Sequence, residues 1–199
     1  MKRCIIKIIC LLSFILIQGC ASMNISENLL FNDSNKKIPE NIVIIASSKS
    51  KDYVLVRSIW GRTYNVPVGK ALLPNAQKCM SSAFIDVLTL YTDEKKKYDS
   101  YVLELNFENY IFDIGKTTLS PNEVTLFMTG YLYDKNGNII WKKSVNNTGI
   151  SEPNKMMLIG MVTAGYDHDK GIVFATEQSL VKSLEQIREA MLSEINWGS

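Results

Sequence analysis

The chain has 199 residues, 46% of them hydrophobic and 21% charged, with 22 Lys and Arg against 20 Asp and Glu. This near-neutral balance gives no support to a polybasic surface for nucleic acid, and the length suits one compact domain with a sizeable core. The first seventeen residues stand apart: Lys2, Arg3 and Lys7 form a basic start, and residues 8–17 form an apolar run far shorter than the ~20 residues a spanning helix needs. That pattern reads as a secretory signal peptide over residues 1–19. Its removal takes three cations with it, leaving 19 basic against 20 acidic residues.

Ile17-Gln18-Gly19-Cys20 resembles the lipobox of bacterial lipoproteins, with an aliphatic residue three before the cysteine and a small residue directly before it. The resemblance implies cleavage after Gly19 and a thioether from Cys20 to diacylglycerol. Each buried acyl CH₂ contributes about 0.8 kcal/mol, so several chains on one cysteine make a stable anchor. Ala21 is not the aspartate that retains enterobacterial lipoproteins in the inner membrane, so the resemblance implies an outer-membrane address facing the periplasm. With Cys4 and Cys10 in the signal and Cys20 lipidated, Cys79 is the one remaining thiol, and an internal disulfide is impossible. It is read as a small, half-buried hydrophobe.

Residues 20–39, rich in Asn and Ser, read as a lipid-anchored tether, and residues 40–197 as a single periplasmic domain. Residues 41–47 (NIVIIAS) are a continuous aliphatic run expected as a central strand, and residues 53–60 (YVLVRSIW) a second strand. Residues 61–69, containing Pro67, are expected as a loop into a helix that begins near Pro74-Asn75. Ala76, Met80, Ala83, Phe84, Val87, Leu88 and Tyr91 recur at three- and four-residue intervals and predict one helix face, closed by the charge run 93–97. Tyr101, Leu103, Leu105 and Phe107 alternate, then the parity changes at Tyr110, Phe112 and Ile114, which predicts a β-bulge near Glu108-Asn109. A further alternating strand ends at Asp134-Lys135-Asn136-Gly137-Asn138, a hairpin signal because Asn-Gly tolerates positive φ. Gly61, Gly69, Gly115 and Gly130 read as turn or bulge positions. Thr176 is expected to cap a final helix with Leu180, Val181, Leu184, Ile187, Met191 and Ile195 as its apolar stripe, opposite Lys182, Glu185, Arg188 and Glu189. The fold class is therefore α+β, an antiparallel or mixed sheet of about five strands with two helices packed on one face.

The chemistry is sparse. Asp167-His168-Asp169 holds the one histidine and reads as a surface loop; no nucleophile elbow, zinc-protease motif, phosphate loop or Cys-x-x-Cys is present. Glu104 and Glu108 are placed on the polar face of a strand, and Asp113 or His168 would centre a site only if other groups converge on it. No metal, no cofactor and no catalysis are expected. Met156, Met157 and Met161 lie in an uncharged run (MMLIGMVTA) expected either to complete the core or to contact a partner.

The element order, the segment 66–72 and the segment 131–141 are similar in style to small envelope-accessory lipoproteins. These are the lipopolysaccharide-assembly lipoprotein, the ABC-transport auxiliary lipoproteins and the front domain of TolB. The resemblance implies a non-enzymatic accessory or assembly component. Its partners would be the membrane, through the N-terminal lipid, and another envelope protein. The alternatives are a module holding a lipid or glycan between sheet and helices, and an envelope hydrolase.

Overall fold

A computed structural model describes residues 21–59, 61–94, 98–115, 120–151 and 164–197. The strands are β1 (Ala21–Ser22), β2 (Ile38–Ala46), β3 (Leu55–Ile59), β4 (Arg62–Val66), β5 (Phe84–Tyr91), β6 (Tyr101–Asp113), β7 (Glu123–Tyr133) and β8 (Ile139–Ile150). The helices are α1 (Ser48–Lys51), α2 (Gly69–Ser81) and α3 (Ala164–Glu194). Five strands form a mixed sheet in the order β5-β2-β6-β7-β8, parallel at β5-β2-β6 and antiparallel beyond. A second, small sheet has the order β1-β4-β3. The α+β class, the mixed five-stranded sheet and the helices on one of its faces agree with expectation.

β2 is buried on both faces, which is why it reads as an unbroken aliphatic run. Ile42, Ile44 and Ala46 join the main core under the helices, while Val43 and Ile45 face the other way with Val102. The bulge also falls where the parity change put it: the β6–β7 register shifts between Phe107 and Asn109, so Phe107 and then Phe112 both reach the core. At the β7–β8 turn, Gly137 has φ +86°, and Asp134 Oδ1 accepts from Asn136 N (2.9 Å) and Asn138 N (2.8 Å).

Several expectations are corrected. Residues 61–69 are not a loop: Gly61 (φ +74°) turns the chain so that β4 pairs antiparallel with β3, Ile59 opposite Arg62 and Leu55 opposite Val66. The helix expected from Pro74 begins five residues earlier, at Gly69, with Pro74 inside it. Pro74 cannot donate to Lys70 O. The Tyr91 hydroxyl, which donates to Gly69 O at 2.8 Å and stands 3.4 Å from Lys70 O, lies over this gap. That helix ends at Ser81, and residues 84–91, whose spacing also suits a helix, form edge strand β5 along β2. Finally, Thr176 caps nothing. It lies well inside α3, is fully buried, and donates to Ile172 O at 2.8 Å.

α3 lies directly on β7 and β8. Ala175, Ser179 and Ser183, one helical turn apart and fully buried, let it approach the sheet backbone. A Cβ on Gly149 would fall 1.8 Å from Ala175 O, and Ser179 Oγ donates to Asn147 O at 2.7 Å. Gly130 is therefore no turn or bulge residue but a mid-strand glycine beneath the helix, its missing Cβ 3.3 Å from Ile187. Leu180, Leu184, Ile187 and Met191 are fully buried, as the stripe predicts.

Residues 23–36, read from composition as tether, instead lie along α2 and α3 as a strap. Met23, Ile25 and Leu29 are buried in the main core. Ser26 N donates to Glu177 (2.9 Å), Leu29 N to Asn75 Oδ1 (2.9 Å), Asn32 N to Glu185 (2.7 Å), and Lys36 Nζ to Leu192 O (2.9 Å). Arg188, expected on the solvated side of α3, is only 2% exposed and ties the layers together. Its Nη1 donates to Asn32 O of the strap (2.8 Å) and to Ser82 Oγ (2.8 Å) and Cys79 O (3.3 Å) after and within α2.

Candidate functional site

Gly19, Cys20, Met156, Met157 and Met161 lie outside the described residues, as does the side chain of His168. The other residues weighed as chemistry are dispersed. Glu104 accepts from the Tyr133 hydroxyl (2.6 Å) and from Asn106 Nδ2 (3.0 Å), whereas Glu108 is exposed at the bulge and Asp113 exposed at the end of β6. Burial and then the Glu104 carboxylate raise the Tyr133 phenol above its ordinary range, so it stays a neutral donor. Cys79 is fully rather than half buried, and burial pushes its thiol up to about 12 against the opposing pull of Arg188. It is not a nucleophile at neutral pH. Among the described residues, no group of three or more His, Cys, Asp or Glu side chains is suited to a metal ion. No helix of these residues is long and apolar enough to cross a membrane.

The space between sheet and helices, where a lipid or glycan groove was considered, is filled: Leu103, Leu105, Leu126, Met128 and Leu132 are fully buried there. Two surfaces stand out among the described residues. One is the helix-free face of the large sheet. Strand registers place Leu88 and Leu90 of β5 beside Val43 and Ile45 of β2, then Val102 of β6 and Tyr133 of β7. Leu88 is 58% and Leu90 43% exposed, while Val43, Ile45 and Val102 are covered in part by Tyr98 and Tyr133. Towards β8 this face turns polar: Thr129 and Ser144 hydroxyls lie 2.9 Å apart, those of Thr125 and Thr148 2.7 Å apart, and Lys142 Nζ lies over the Tyr131 ring (5.0 Å). A recess of about 340 Å³ opens there between Phe127, Thr129, Ser144 and Asn146, beside Glu108 and Gln186.

The other surface is the end of the molecule where the chain enters. β1 pairs parallel with β4, Ala21 opposite Tyr64 and Ser22 opposite Asn65. The N-terminal end of β1 therefore lies at the β3–β4 turn, where Arg62 lies over the Tyr64 ring (5.0 Å) and pairs with Asp169 of α3 at 2.7 Å. β3 exposes Val56, Arg57 and Ser58, and the Tyr110 hydroxyl fixes its edge by bonding Val56 N (3.0 Å) and Val56 O (3.2 Å). Between β3 and the end of β6 lies a shallow groove of about 650 Å³ lined by Val56, Arg57, Asn109, Tyr110, Ile111 and Asp113. Composition alone hid this surface, because residues 61–69 read as a loop and residues 21–39 as a tether.

No protein-family model matches the chain, and no curated protein matches it. Among solved structures, it is similar to a Xanthomonas campestris protein of the DUF330 family model, at 9% identity and a TM-score of 0.48, covering 85% of this chain and 92% of that one. A minor lipoprotein from Acinetobacter baumannii is 11% identical at a TM-score of 0.41, covering 77% and 93%. A Chlamydia trachomatis protein is 8% identical at 0.43, covering 79% and 99%.

Proposed function

We infer that this chain is a lipid-anchored accessory protein of a bacterial envelope, held at the outer membrane by Cys20 and facing the periplasm. It acts by binding another envelope protein rather than by catalysis. The observation that carries the reading is the helix-free sheet face, where exposed Leu88 and Leu90 on edge strand β5 border the apolar patch of Val43, Ile45 and Val102, with the hydroxyl pairs of β7 and β8 across the sheet. A face that joins exposed apolar area to polar side chains suits a protein partner better than water alone. The lipobox pattern at Ile17-Gln18-Gly19-Cys20 supplies the membrane half of the reading.

The test has two arms. Cys20→Ala should abolish incorporation of radioactive fatty acid and release the protein from the outer-membrane fraction; continued labelling refutes the anchor. A photo-crosslinking residue at Leu88 or Tyr131 should capture one discrete envelope protein from intact cells, while the same residue at Ser193, exposed on α3, should not. Equal capture from both faces, or none from either, refutes the partner face.

A further inference from the structure

We propose that the β3–β4 hairpin is a membrane-seating surface, resting against the phospholipid headgroups of the leaflet that holds the Cys20 lipid; this rests on the anchor reading above. A true tether of some twenty residues would let the domain stand off the bilayer by several nanometres. The chain has no such slack, because Ala21 is already paired with Tyr64 in β1, and residues 23–36 are bound along the helices. Consecutive Cα atoms lie about 3.8 Å apart and paired strands about 4.8 Å, so a lipidated Cys20 sits within roughly a nanometre of β4.

The parallel β1–β4 register then fixes which end is drawn down. The N-terminal end of β1, to which Cys20 is bonded, lies near the start of β4, on the side of Ile59, Gly61 and Arg62 at the hairpin tip. The surface there has interfacial chemistry: Val56 is 46% and Ile111 56% exposed along the groove, and Arg57 is exposed with no carboxylate partner among the described residues. An unpaired guanidinium beside aliphatic side chains suits a phosphate above acyl chains, and Asp113 across the groove suits an ammonium headgroup. A zwitterionic and anionic mixture is the matching bilayer. The β7–β8 turn around Asn136, at the opposite end of the long strands, is held away from it.

The experiment uses the mature lipidated protein in vesicles of phosphatidylethanolamine and phosphatidylglycerol carrying a headgroup spin label. A fluorophore is attached through Ser58→Cys or, separately, Asn136→Cys; buried Cys79 stays unlabelled. Mass spectrometry of the N-terminal peptide first establishes the diacylglyceryl group. The expected result is a blue shift and loss of fluorescence at position 58 with neither change at position 136. If Ser58→Cys does not fold, Thr63→Cys on the neighbouring strand gives the same reading. Lipid present with equal quenching at both positions overturns the seating surface and leaves the anchor intact, whereas an unmodified cysteine overturns the anchor and this proposal with it.

Discussion

Replacing Arg188 by Met tests the strap most directly. Met keeps much of the apolar stem, so the change removes the guanidinium fork rather than the packing. Asn32 O and Ser82 Oγ then lose donors that stood at 2.8 Å, and Cys79 O one at 3.3 Å. A buried acceptor left without a partner costs about 1–3 kcal/mol, but Asn32 is exposed to water and Cys79 O keeps the Ser82 hydroxyl at 2.8 Å, so that cost does not arise three times over. Two effects hold the total near the low end. The guanidinium no longer has to be desolvated, and its carboxylate partner Glu189, 58% exposed, is left in water rather than stranded in the core. A loss of about 3 kcal/mol is expected, from a total stability of ~5–15 kcal/mol. That corresponds to a fall of about 6–12 °C in melting temperature for a domain of this size. Urea unfolding followed by circular dichroism should show a lower midpoint with an unchanged slope. Amide exchange at Leu29 and Asn32, whose N–H groups bond Asn75 and Glu185, should accelerate more than exchange in β7. A wild-type midpoint together with unchanged exchange at these two amides would show that apolar burial alone holds the strap, and would refute the role given to Arg188.

Gly149→Ala places a Cβ 1.8 Å from Ala175 O and should lower stability by several kcal/mol or prevent folding, whereas Gly130→Ala, with its nearest neighbours at 3.3–3.5 Å, should cost about 1–3 kcal/mol; equal melting curves for the two would refute the close helix–sheet approach. Cys79 should resist a thiol reagent at pH 8 until the protein is unfolded. Because its folded value of about 12 lies above the ordinary 9.0, the unfolded chain ionises first, and stability should fall as pH rises through that window; a Cys79→Ala variant with the same alkaline slope would contradict this. The Asp134 carboxyl sits below its ordinary range because Asn138 N–H, then the Asn138 side chain and Asn136, donate to it. Its contribution is therefore present at neutral pH and lost as pH falls through and below the usual carboxylate range; NMR titration should show the depressed midpoint, and Asp134→Ala should flatten the acid limb of the stability curve.

What could be read from sequence follows from how local each cause is. The hairpin at Asn136-Gly137 and the bulge after Phe107 are set by turn chemistry and by parity, both visible within a dozen residues. β5 was not legible: Phe84, Val87, Leu88 and Tyr91 fit a helical period, and only pairing along β2 makes them a strand. Arg188 was legible but misassigned. It follows Leu184 by four residues and Val181 by seven, so helix geometry put it on the apolar side, and its charge alone led to the solvated one. The strap was hidden for a different reason. Its three buried residues, Met23, Ile25 and Leu29, are widely set among Asn, Ser and Glu, and the face they cover exists only once α2 and α3 are side by side. The Ala175, Ser179 and Ser183 series likewise acquires meaning only from the sheet backbone beneath it.

The strap also dictates an order of events. Its hydrogen bonds to Glu177, Glu185 and the Leu192 carbonyl join residues 151 to 156 positions apart, so its docking partners are synthesised long after it. Residues 23–36 therefore emerge long before the groove that receives them exists. Until α3 arrives, Met23, Ile25 and Leu29 remain open to chaperones and proteases, and closing so long a loop places this step among the slow ones. Fastening the strap therefore waits on α3, and a protein truncated before Glu177 would be left with residues 23–36 unfastened.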